Sequence, residues 1–375
     1  MERKKMKKSL LALVALSAFT STAHSQSNVT LYGIADSGIT YTNNQNGHSA
    51  WQATSGNVQG ARFGLLGMED LGGGNQAVFR LENGFNIESG ALGQGGRMFG
   101  RQAYVGFANS TYGTFTMGRQ YNPMQDFVAP LAVAGSLSLT QYGLHPLDND
   151  NINNTYRTNN TVKYTSPNLA GFQAGALYGF SNSTNFADNR SWSIGASYAH
   201  GPLQVAAAYV RLSNPALNTT GAIASDNYYS PAYLKSATSV QMWGAGANYA
   251  IGHATFGLLY TGSLFGNTTG SLFQGTANGS LRFNNYEGGF RYAFTPALNF
   301  ALGETYTQVS QNSESGHYLQ TSVGMQYFLS KRTDLYANLV YQTTSNNLHA
   351  WIQGVGSASS TTAQVVGIVG MRHRF

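Results

Sequence analysis

The chain has 375 residues, no cysteine and a charged fraction of 10%, far below the about 25% usual for soluble domains. Without cysteine, a disulfide scaffold, a thiolate metal site and a cysteine nucleophile are excluded. Residues 1–25 hold 5 of the 21 Lys and Arg and 1 of the 15 Asp and Glu, leaving 16 against 14 in residues 26–375, a formal charge of +2. These charges are scattered, so no basic block predicts nucleic-acid binding.

The N-terminal segment has the pattern of a Sec-type signal peptide. Basic residues from Arg3 to Lys8 precede an apolar stretch, and Ala23-His24-Ser25 places small side chains at both recognition positions of a cleavage site. The apolar stretch is too short to span a membrane as a helix. We predict export with a signal peptide at residues 1–25 and a single domain at residues 26–375. Met6 is an alternative start to Met1.

The following segments alternate apolar and polar residues with the period of a β-strand. In residues 76–89, Phe79 and Leu81 share one face while Arg80 and Glu82 share the other, and residues 318–329 and 334–342 repeat the pattern. After the signal segment no apolar run is long enough for a membrane helix. A closed barrel is the structure that satisfies its backbone in lipid with alternating faces, although a soluble sandwich shows the same periodicity.

Short and long connections alternate along the chain, and this pattern favours a barrel over a sandwich. Turns are predicted at 71–75, 111–113, 168–171, 200–202, 295–296 and 330–333, and longer polar segments near 43–56, 90–98, 122–155, 182–190, 214–238, 266–279, 311–317 and 346–362. Short turns at one rim and long loops at the other are typical of outer-membrane barrels. About 16 strands fit between them. The fold class predicted is all-β, a transmembrane antiparallel up-and-down β-barrel.

The segment 122–155 is far longer than an ordinary connection and contains three prolines. Its length indicates either a functional loop or a mobile external one. At the C-terminus, Phe375, His373 and Met371 share one strand face while Arg374 and Arg372 share the other. A chain that ends on an aromatic residue after such a strand is typical of the terminal strand of a membrane barrel.

Several motifs in order resemble the Gram-negative trimeric general-diffusion porins across residues 26–375. They are Val29-Thr30-Leu31-Tyr32-Gly33-Ile34-Ala35-Asp36, Ala61-Arg62-Phe63-Gly64, Gly67-Met68-Glu69-Asp70-Leu71-Gly72, Gly100-Arg101-Gln102-Ala103-Tyr104-Val105-Gly106, Tyr112-Gly113-Thr114-Phe115, Gly118-Arg119-Gln120, Ser330-Lys331-Arg332-Thr333-Asp334-Leu335-Tyr336 and Gly370-Met371-Arg372-His373-Arg374-Phe375. The resemblance implies a sixteen-stranded homotrimer in the outer membrane whose third external loop, residues 122–155, folds inward and narrows the pore. It also implies contacts with outer-membrane lipid and lipopolysaccharide, and recognition of the terminal strand by the barrel-assembly machinery.

Two sets of charged residues are the candidate pore constriction. The basic wall comprises Arg62, Arg101 and Arg157 from their places in the family pattern, Arg80 from strand parity and Arg119 just before the loop. The acidic side comprises Asp126 and, with less support, Asp148 and Asp150. Opposed charges across a water-filled neck produce a transverse field that passes small hydrophilic solutes and ions and rejects bulky apolar ones. More arginines than loop acids predict a mild preference for anions. Each arginine could instead be a wall residue paired with a carboxylate such as Glu82.

Three other functions remain open. A substrate-specific channel would favour an aromatic track along the lumen, and an adhesin would carry larger loop domains. An outer-membrane hydrolase needs a nucleophile beside a histidine, but no Gly-x-Ser-x-Gly is present and the histidines are scattered. Gly72-Gly73-Gly74 lacks the Lys-Ser/Thr of a phosphate loop and is interpreted as a tight turn. No metal or cofactor motif is found.

Overall fold

The computed structural model describes residues 28–136, 139–224, 236–273, 278–345 and 347–375. The signal peptide predicted at residues 1–25 lies outside these residues. Seventeen antiparallel strand segments form one sheet. Their bounds are β1 Asn28–Gln45, β2 His48–Ser55, β3 Arg62–Gly72, β4 Asn75–Gly84, β5 Gln102–Asn109, β6 Gly113–Gln120, β7 Thr158–Thr165, β8 Phe172–Gly179, β9 Arg190–His200, β10 Leu203–Ser213, β11 Ser239–Ile251, β12 Ala254–Thr268, β13 Gly279–Ala293, β14 Leu298–Gln311, β15 Glu314–Phe328, β16 Thr333–Thr344 and β17 Ala363–Arg374.

The sheet closes on itself through its first and last strands. β1 pairs with β17 from Ile34 opposite Arg374 to Thr42 opposite Val366. On its other edge, β1 pairs with β3 along its first half and with β2 along its second half. β2 and β3 are therefore two segments of one barrel strand, interrupted at residues 56–61. The result is a closed barrel of sixteen antiparallel strands, which confirms the predicted fold class.

Long connections lie at one rim and short turns at the other, as predicted. Two segments predicted as long loops are mostly strand instead. Residues 43–56 form the tight β1–β2 hairpin, in which Asn46 and Gly47 have positive φ angles of 51° and 93°, as a two-residue Asn-Gly turn requires. Residues 311–317 likewise belong mostly to strands, because β14 and β15 are joined through Asn312, with φ 54°. The hairpin tips have the polar composition of a loop, so composition alone does not distinguish the two.

The outward faces of the strands carry the apolar residues expected in lipid. In β14, Leu302 and Tyr306 are 40% and 41% exposed on the outside, whereas Thr305 and Thr307 are buried on the inside. The helices of the described residues are single turns: Gly93–Gly96 in the β4–β5 connection, and Met124–Val128, Ala129–Leu131, Val133–Ser136, Gln141–Gly143 and Pro146–Asp148 in the β6–β7 connection. None of these helices is long and apolar enough to cross a membrane.

Apolar residues also occur inside the barrel, near the loop rim of β10 to β15. Val210 and Leu212 of β10, Met242 of β11 and Phe283 of β13 point inward and are fully buried, against the β6–β7 connection. From the alternation of residues along each strand alone, such apolar side chains would be expected to face lipid. They are inside because the connections fold back into the barrel and form an apolar core with this part of the wall.

Candidate pore constriction

The β6–β7 connection, residues 121–157 and here called L3, lies within the barrel. Its first turn is set by Asn122, whose side-chain oxygen accepts hydrogen bonds from the backbone N–H groups of Met124 and Gln125 at 3.0 and 3.3 Å. The next turn buries Met124, Phe127 and Val128 against inward-facing residues of β9, β10 and β11. Burial of these apolar side chains stabilises an inward path over an external one.

An ionic cluster anchors the middle of L3 to β13. His145 is fully buried, with its Nδ1 atom 2.5 Å from Asp150 Oδ2 and its Nε2 atom 3.3 Å from Glu287 Oε2. The other carboxylate oxygen of Glu287 accepts the backbone N–H of Val133 at 2.9 Å. Burial disfavours the charged imidazole, but the two carboxylates outweigh it and raise the pKa of His145 to about 10. Glu287 thus joins two parts of L3, at His145 and at Val133, to the wall.

Neutral polar contacts extend this anchor. Asn285 of β13 donates to Asn149 at 3.0 Å and to Thr261 at 2.9 Å, and Ser263 of β12 donates to Asn149 at 2.9 Å. Elsewhere along L3, Gln320 of β15 donates to the carbonyl oxygen of Gly143 at 2.9 Å. Since these wall residues point inward from several strands, L3 is held at more than one place.

A second attachment joins L3 to the interruption between β2 and β3. Thr140 donates its hydroxyl to the carbonyl oxygen of Asn57 at 2.6 Å, and the backbone N–H of Gln141 donates to the same oxygen at 2.9 Å. L3 therefore contacts both sides of the lumen and narrows it between them.

The three candidate acids of L3 have partners of their own. Asp126 lies 2.5 Å from Lys163 Nζ of β7. Asp148 is buried and accepts the backbone N–H groups of Asn153 and Thr155 at 2.7 and 2.8 Å, within L3 itself. Burial, together with the charge of Asp150, raises the pKa of Asp148 to about 7.

Asp150 is the carboxylate bound to His145. Burial favours its neutral form, but His145 outweighs burial and lowers the pKa of Asp150. The geometry therefore directs Asp148 and Asp150 into the loop anchor and pairs Asp126 with Lys163. Arg80 adds a weaker favourable charge interaction with Asp126.

Three of the five arginines predicted for the basic wall, Arg62, Arg101 and Arg157, lie around Tyr121. The name basic wall is kept below for these three. The guanidinium carbons of Arg101 and Arg157 each lie 5.8 Å from the centre of the Tyr121 ring. Arg62, the first residue of β3, donates Nε to the carbonyl oxygen of Gly60 at 2.8 Å. Burial and the charge of Arg101 lower the pKa of Arg157 to about 9, so that it remains protonated at neutral pH.

One carboxylate lies among these arginines. Glu82 of β4 accepts hydrogen bonds from Arg101 Nε at 2.8 Å, from the Tyr121 hydroxyl at 2.9 Å and from the Tyr32 hydroxyl at 2.8 Å. The alternative interpretation of Arg101 as a wall residue paired with Glu82 thus agrees with its geometry. A single carboxylate leaves most of the positive charge of the wall uncompensated.

The remaining two arginines differ in position. Arg80 lies over the Tyr32 ring at 5.6 Å from its centre, beside the Glu82 cluster. Arg119 donates to the carbonyl oxygen of Gly100 at 2.9 Å and to Asn159. It lines a separate surface depression together with Arg97 and Thr219. The fold therefore places Arg80 next to the basic wall and Arg119 apart from it.

A cavity of about 180 Å³ lies between the strand arginines Arg62 and Arg101 and the turn of L3 at Ala134 and Gly135. Arg62, Arg101 and Tyr121 line one side, and Ala134 and Gly135 are among the L3 residues on the other. The described lining residues include no carboxylate; the full set is Val58, Gln59, Gly60, Arg62, Arg101, Tyr121, Gln125, Ala129, Ala134, Gly135, Gln141, Leu144, Asn153 and Asn154. Cationic groups thus face neutral ones across this space.

Phe375 lies at the barrel closure, at the rim of the short turns. Its backbone N–H and carbonyl exchange hydrogen bonds with Gly33 of β1 at 3.1 and 3.0 Å. A side chain at position 33 would meet the Phe375 ring, since an added Cβ would come within 2.3 Å of Cζ. The glycine therefore lets the terminal ring lie on the first strand.

Sequence reasoning missed Lys163, Tyr121, His145 and Glu287. Lys163 could have been found, because the parity of β7 places it opposite to the outward Tyr164. His145 and Glu287 are 142 positions apart in sequence, and no local pattern joins a loop histidine to a strand carboxylate. Their pairing follows from the inward path of L3.

The fold, the inward loop and the arginine cluster are those of a channel-forming barrel, and comparison with known proteins agrees. A sequence model of the Gram-negative porin family matches residues 12–347. An outer membrane porin protein of Bordetella pertussis is 32% identical, with 99% of this chain and all of the relative covered. The chain therefore belongs to the Gram-negative porins: it is an outer-membrane protein that forms a diffusion channel.

Two solved structures share this fold. An anion-selective porin from Comamonas acidovorans superimposes with a TM-score of 0.74 at 24% identity, covering 93% of this chain and all of the other. A trimer form of the outer membrane protein OmpT from Vibrio cholerae gives a TM-score of 0.64 at 16% identity, covering 93% and 99%. These likenesses establish the shared barrel fold.

Proposed function

We propose that the channel prefers anions because its constriction has a basic wall with no acidic wall opposite. The observation that carries this proposal is the neutral L3 surface facing Arg62 and Arg101 across the cavity. Within and beside the wall, the cations Arg62, Arg80, Arg101, Arg157 and Lys163 outnumber the carboxylates Glu82 and Asp126. A positive potential in a narrow, low-dielectric passage concentrates anions and repels cations. The anion-selective porin of similar fold is a supporting parallel.

The proposed solutes are small hydrophilic molecules and ions that cross by diffusion without chemical change. The neck is small and mostly polar on its arginine side, so an apolar solute would have to displace water that hydrates charged groups. Tyr32 and Tyr121 form hydrogen bonds or cation–π contacts within the wall, which supports a structural role over a sugar-binding track. A substrate-specific channel is therefore the second candidate, with less support.

The test is the reversal potential of single channels in a potassium chloride gradient. An Arg62→Gln and Arg157→Gln double variant should shift it towards cations, while Arg332→Gln at an exposed turn should leave it unchanged. Arg101 is left in place because its removal would strand the buried Glu82. An unchanged reversal potential in the double variant would contradict the proposed selectivity mechanism.

We further propose a homotrimer whose interface includes the outer face of β1 to β3. The first part of the β4–β5 connection, at Ile87 and Glu88, contacts this face: Ser37 donates to Glu88 at 2.7 Å and the N–H of Ile87 donates to Ser55 at 3.1 Å. Polar contacts on an outward barrel face fit a protein interface better than lipid. The trimer form of OmpT supports the same assembly. Sedimentation in detergent should give the trimer mass; a monomer would contradict this.

Two cellular steps complete the proposal. We propose that residues 1–25 are a signal peptide removed on export, which N-terminal sequencing of the membrane-inserted protein tests. We also propose that the strand ending at Phe375 is recognised by the barrel-assembly machinery. Replacing Phe375 with Ser should lower the amount of protein inserted in cells without changing conductance of protein refolded in vitro.

A further inference from the structure

The barrel wall contains a short loop at the point where β2 continues into β3. β1 pairs with β2 as far as Ser37 opposite Ser55, and with β3 from Ile34 opposite Arg62. Two residues of β1 therefore lie opposite six residues of the neighbouring strand, 56–61, here called the β2–β3 loop. Four of these residues are in excess, which is more than an ordinary β-bulge adds. Because four is an even number, β2 and β3 keep the same inside and outside faces.

The β2–β3 loop is closed at its base and turns into the lumen. Gly56 has a positive φ angle of 77°, and an added Cβ there would lie 2.8 Å from the Cα atom of Gly60, so the two ends of the loop nearly touch. Val58, near the middle of the loop, is buried in one apolar cluster with inward-facing residues of β16 and β17. These wall residues are Tyr336, Val340, Val366 and Ile368. Burial of Val58 among them keeps the loop inside the barrel.

Asp36 of β1 holds the β2–β3 loop in this position. Its fully buried carboxyl group accepts the backbone N–H groups of Val58 and Gln59 at 2.9 and 2.8 Å. The Tyr336 hydroxyl donates to the other carboxyl oxygen at 2.6 Å and accepts the side-chain N–H of Asn57 at 3.1 Å. Asp36 therefore satisfies two backbone donors that the interrupted strand does not pair in the sheet.

The β2–β3 loop lies at the neck of the channel. Val58, Gln59 and Gly60 line the same cavity of about 180 Å³ as Arg62 and Arg101. The carbonyl oxygen of Gly60 also accepts the hydrogen bond from Arg62 Nε at 2.8 Å. The loop thus occupies space beside the basic wall and fixes the direction of one of its arginines.

L3 is supported by the same loop. The hydroxyl of Thr140 and the backbone N–H of Gln141 both donate to the carbonyl oxygen of Asn57, at 2.6 and 2.9 Å. The side-chain amide of Gln141 donates to the carbonyl oxygen of Gly56. The position of L3 at residues 140–141 therefore depends on the position of the β2–β3 loop.

We propose that the β2–β3 loop is a second constriction element of the channel and that Asp36 is its positioning residue. The inference rests on the proposed diffusion function, and it assigns the size limit for neutral solutes to this loop as well as to L3. A continuous strand in its place would leave the space of four residues open to water. Loss of the Asp36 carboxyl group would release both the loop and the part of L3 that it supports, so the neck would widen and fluctuate.

The experiment measures uptake of neutral sugars of different size by liposomes that contain the refolded protein. Deletion of residues 57–60 leaves Gly56 and Ala61 opposite Ala35 and Asp36 and restores a continuous strand. It should raise the uptake of sucrose relative to that of arabinose by about threefold, because a wider neck favours the larger solute most. A folded deletion variant with the parental uptake ratio would overturn the proposal.

Substitutions at Asp36 decide the matter even where the deletion variant does not fold. Asp36→Ala should raise the same uptake ratio by about twofold and increase single-channel noise, since the loop loses its hydrogen-bond acceptor. Asp36→Asn keeps an oxygen for the two backbone N–H groups and should behave as the parent does. Asp70→Ala is the matched control, because it removes a carboxylate that accepts the N–H of Gly72 at an exposed short turn. A parental ratio in Asp36→Ala, with lowered stability alone, would overturn the positioning role.

Failure of this inference and failure of the proposed function are distinguishable. Absence of both uptake and conductance in the parent protein would contradict the diffusion channel itself. Sugars without charge report the width of the neck independently of the proposed anion preference. Circular dichroism in detergent verifies the β-sheet content of every variant, so a changed uptake ratio is assigned to the neck only in folded protein.

Discussion

The two sides of the lumen use inward-facing residues for different purposes. On the β3 to β7 side, Arg62, Arg101 and Arg157 surround Tyr121, and Arg62 and Arg101 line the cavity that faces L3. On the β10 to β15 side, apolar inward residues and the hydrogen-bonded anchor pack against L3, and Glu287 is paired with the fully buried His145. One side faces the solution in the pore, and the other holds the loop that narrows it.

This difference explains why the charge of the constriction lies on one side. L3 has three acids, and each is used in holding the loop or in pairing with Lys163. An acid used in an anchor is not available to face the arginines. Because the acids of L3 are paired elsewhere, the basic wall dominates the electric field across the neck. Variants of each side test this division.

The largest expected effect is loss of the anchor. His145→Gln removes the positive charge between Asp150 and Glu287 and leaves two buried carboxylates together. Breaking a buried ion pair on one side costs about 3 kcal/mol or more. We expect a lower denaturant midpoint and noisier single-channel currents, measured on refolded protein. The exposed His48→Gln serves as control. A quiet channel of parental stability would contradict the anchor.

The second effect is the pH dependence of the same anchor. The pKa of His145, about 10 in the fold, exceeds the about 6.5 of an exposed histidine. Its stabilisation is therefore complete below about pH 6.5 and is lost as the pH rises towards 10. Asp148, with a pKa raised to about 7, loses its stabilisation at lower pH, between about pH 4 and 7, so the fall from pH 7 to 10 reports on His145. Thermal midpoints should fall over this range, and fall less in His145→Gln; equal slopes would contradict the assignment.

A third variant supplies the missing acid. Ala134→Glu places a carboxylate on the L3 side of the cavity, opposite the arginines. It should reduce the anion-to-cation permeability ratio by about threefold, because the added charge cancels part of the wall potential. Ala134→Gln, of the same size without the charge, separates electrostatics from narrowing. Identical ratios in the two variants would show that L3 charge does not set selectivity.

The smallest effect is expected at the edge of the wall. Lys163→Gln removes the partner of Asp126 and adds one net negative charge beside the constriction, 2.5 Å from the former ammonium. Asp126 is partly exposed, so solvent screens much of the change. We expect a shift of the reversal potential towards cations that is smaller than in Ala134→Glu. A larger shift would place Lys163 at the centre of the selectivity filter.

Much of the fold could be predicted from local pattern. Alternation in residues such as Phe79 and Arg80 identified strands, and Gly72-Gly73-Gly74 identified a turn, where all three residues have positive φ angles. Alternation predicted the wrong face where the barrel interior is filled by apolar side chains and not by water. Val210 and Leu212 look like lipid-facing residues in sequence, but they bury against the inward loops. Parity separates two faces without saying what covers either of them.

The site was less predictable. Arg62, Arg101 and Arg157 do come together, as the family resemblance implied. Asp148 and Asp150, predicted for the acidic side of the constriction, have backbone N–H groups and a histidine of L3 as their partners. Partner choice depends on distances of a few ångströms between segments far apart in the chain, and sequence carries no such distances.

The sequence by itself determined the antiparallel barrel, its membrane-facing band and the surplus of arginine, because these depend on a two-residue period and on composition. Only the tertiary structure decided which side of the lumen is charged, since that required L3 to enter the barrel and commit its acids to Lys163, His145 and its own backbone. Electrostatic function depends on which charges remain unpaired, and pairing is a property of the folded chain.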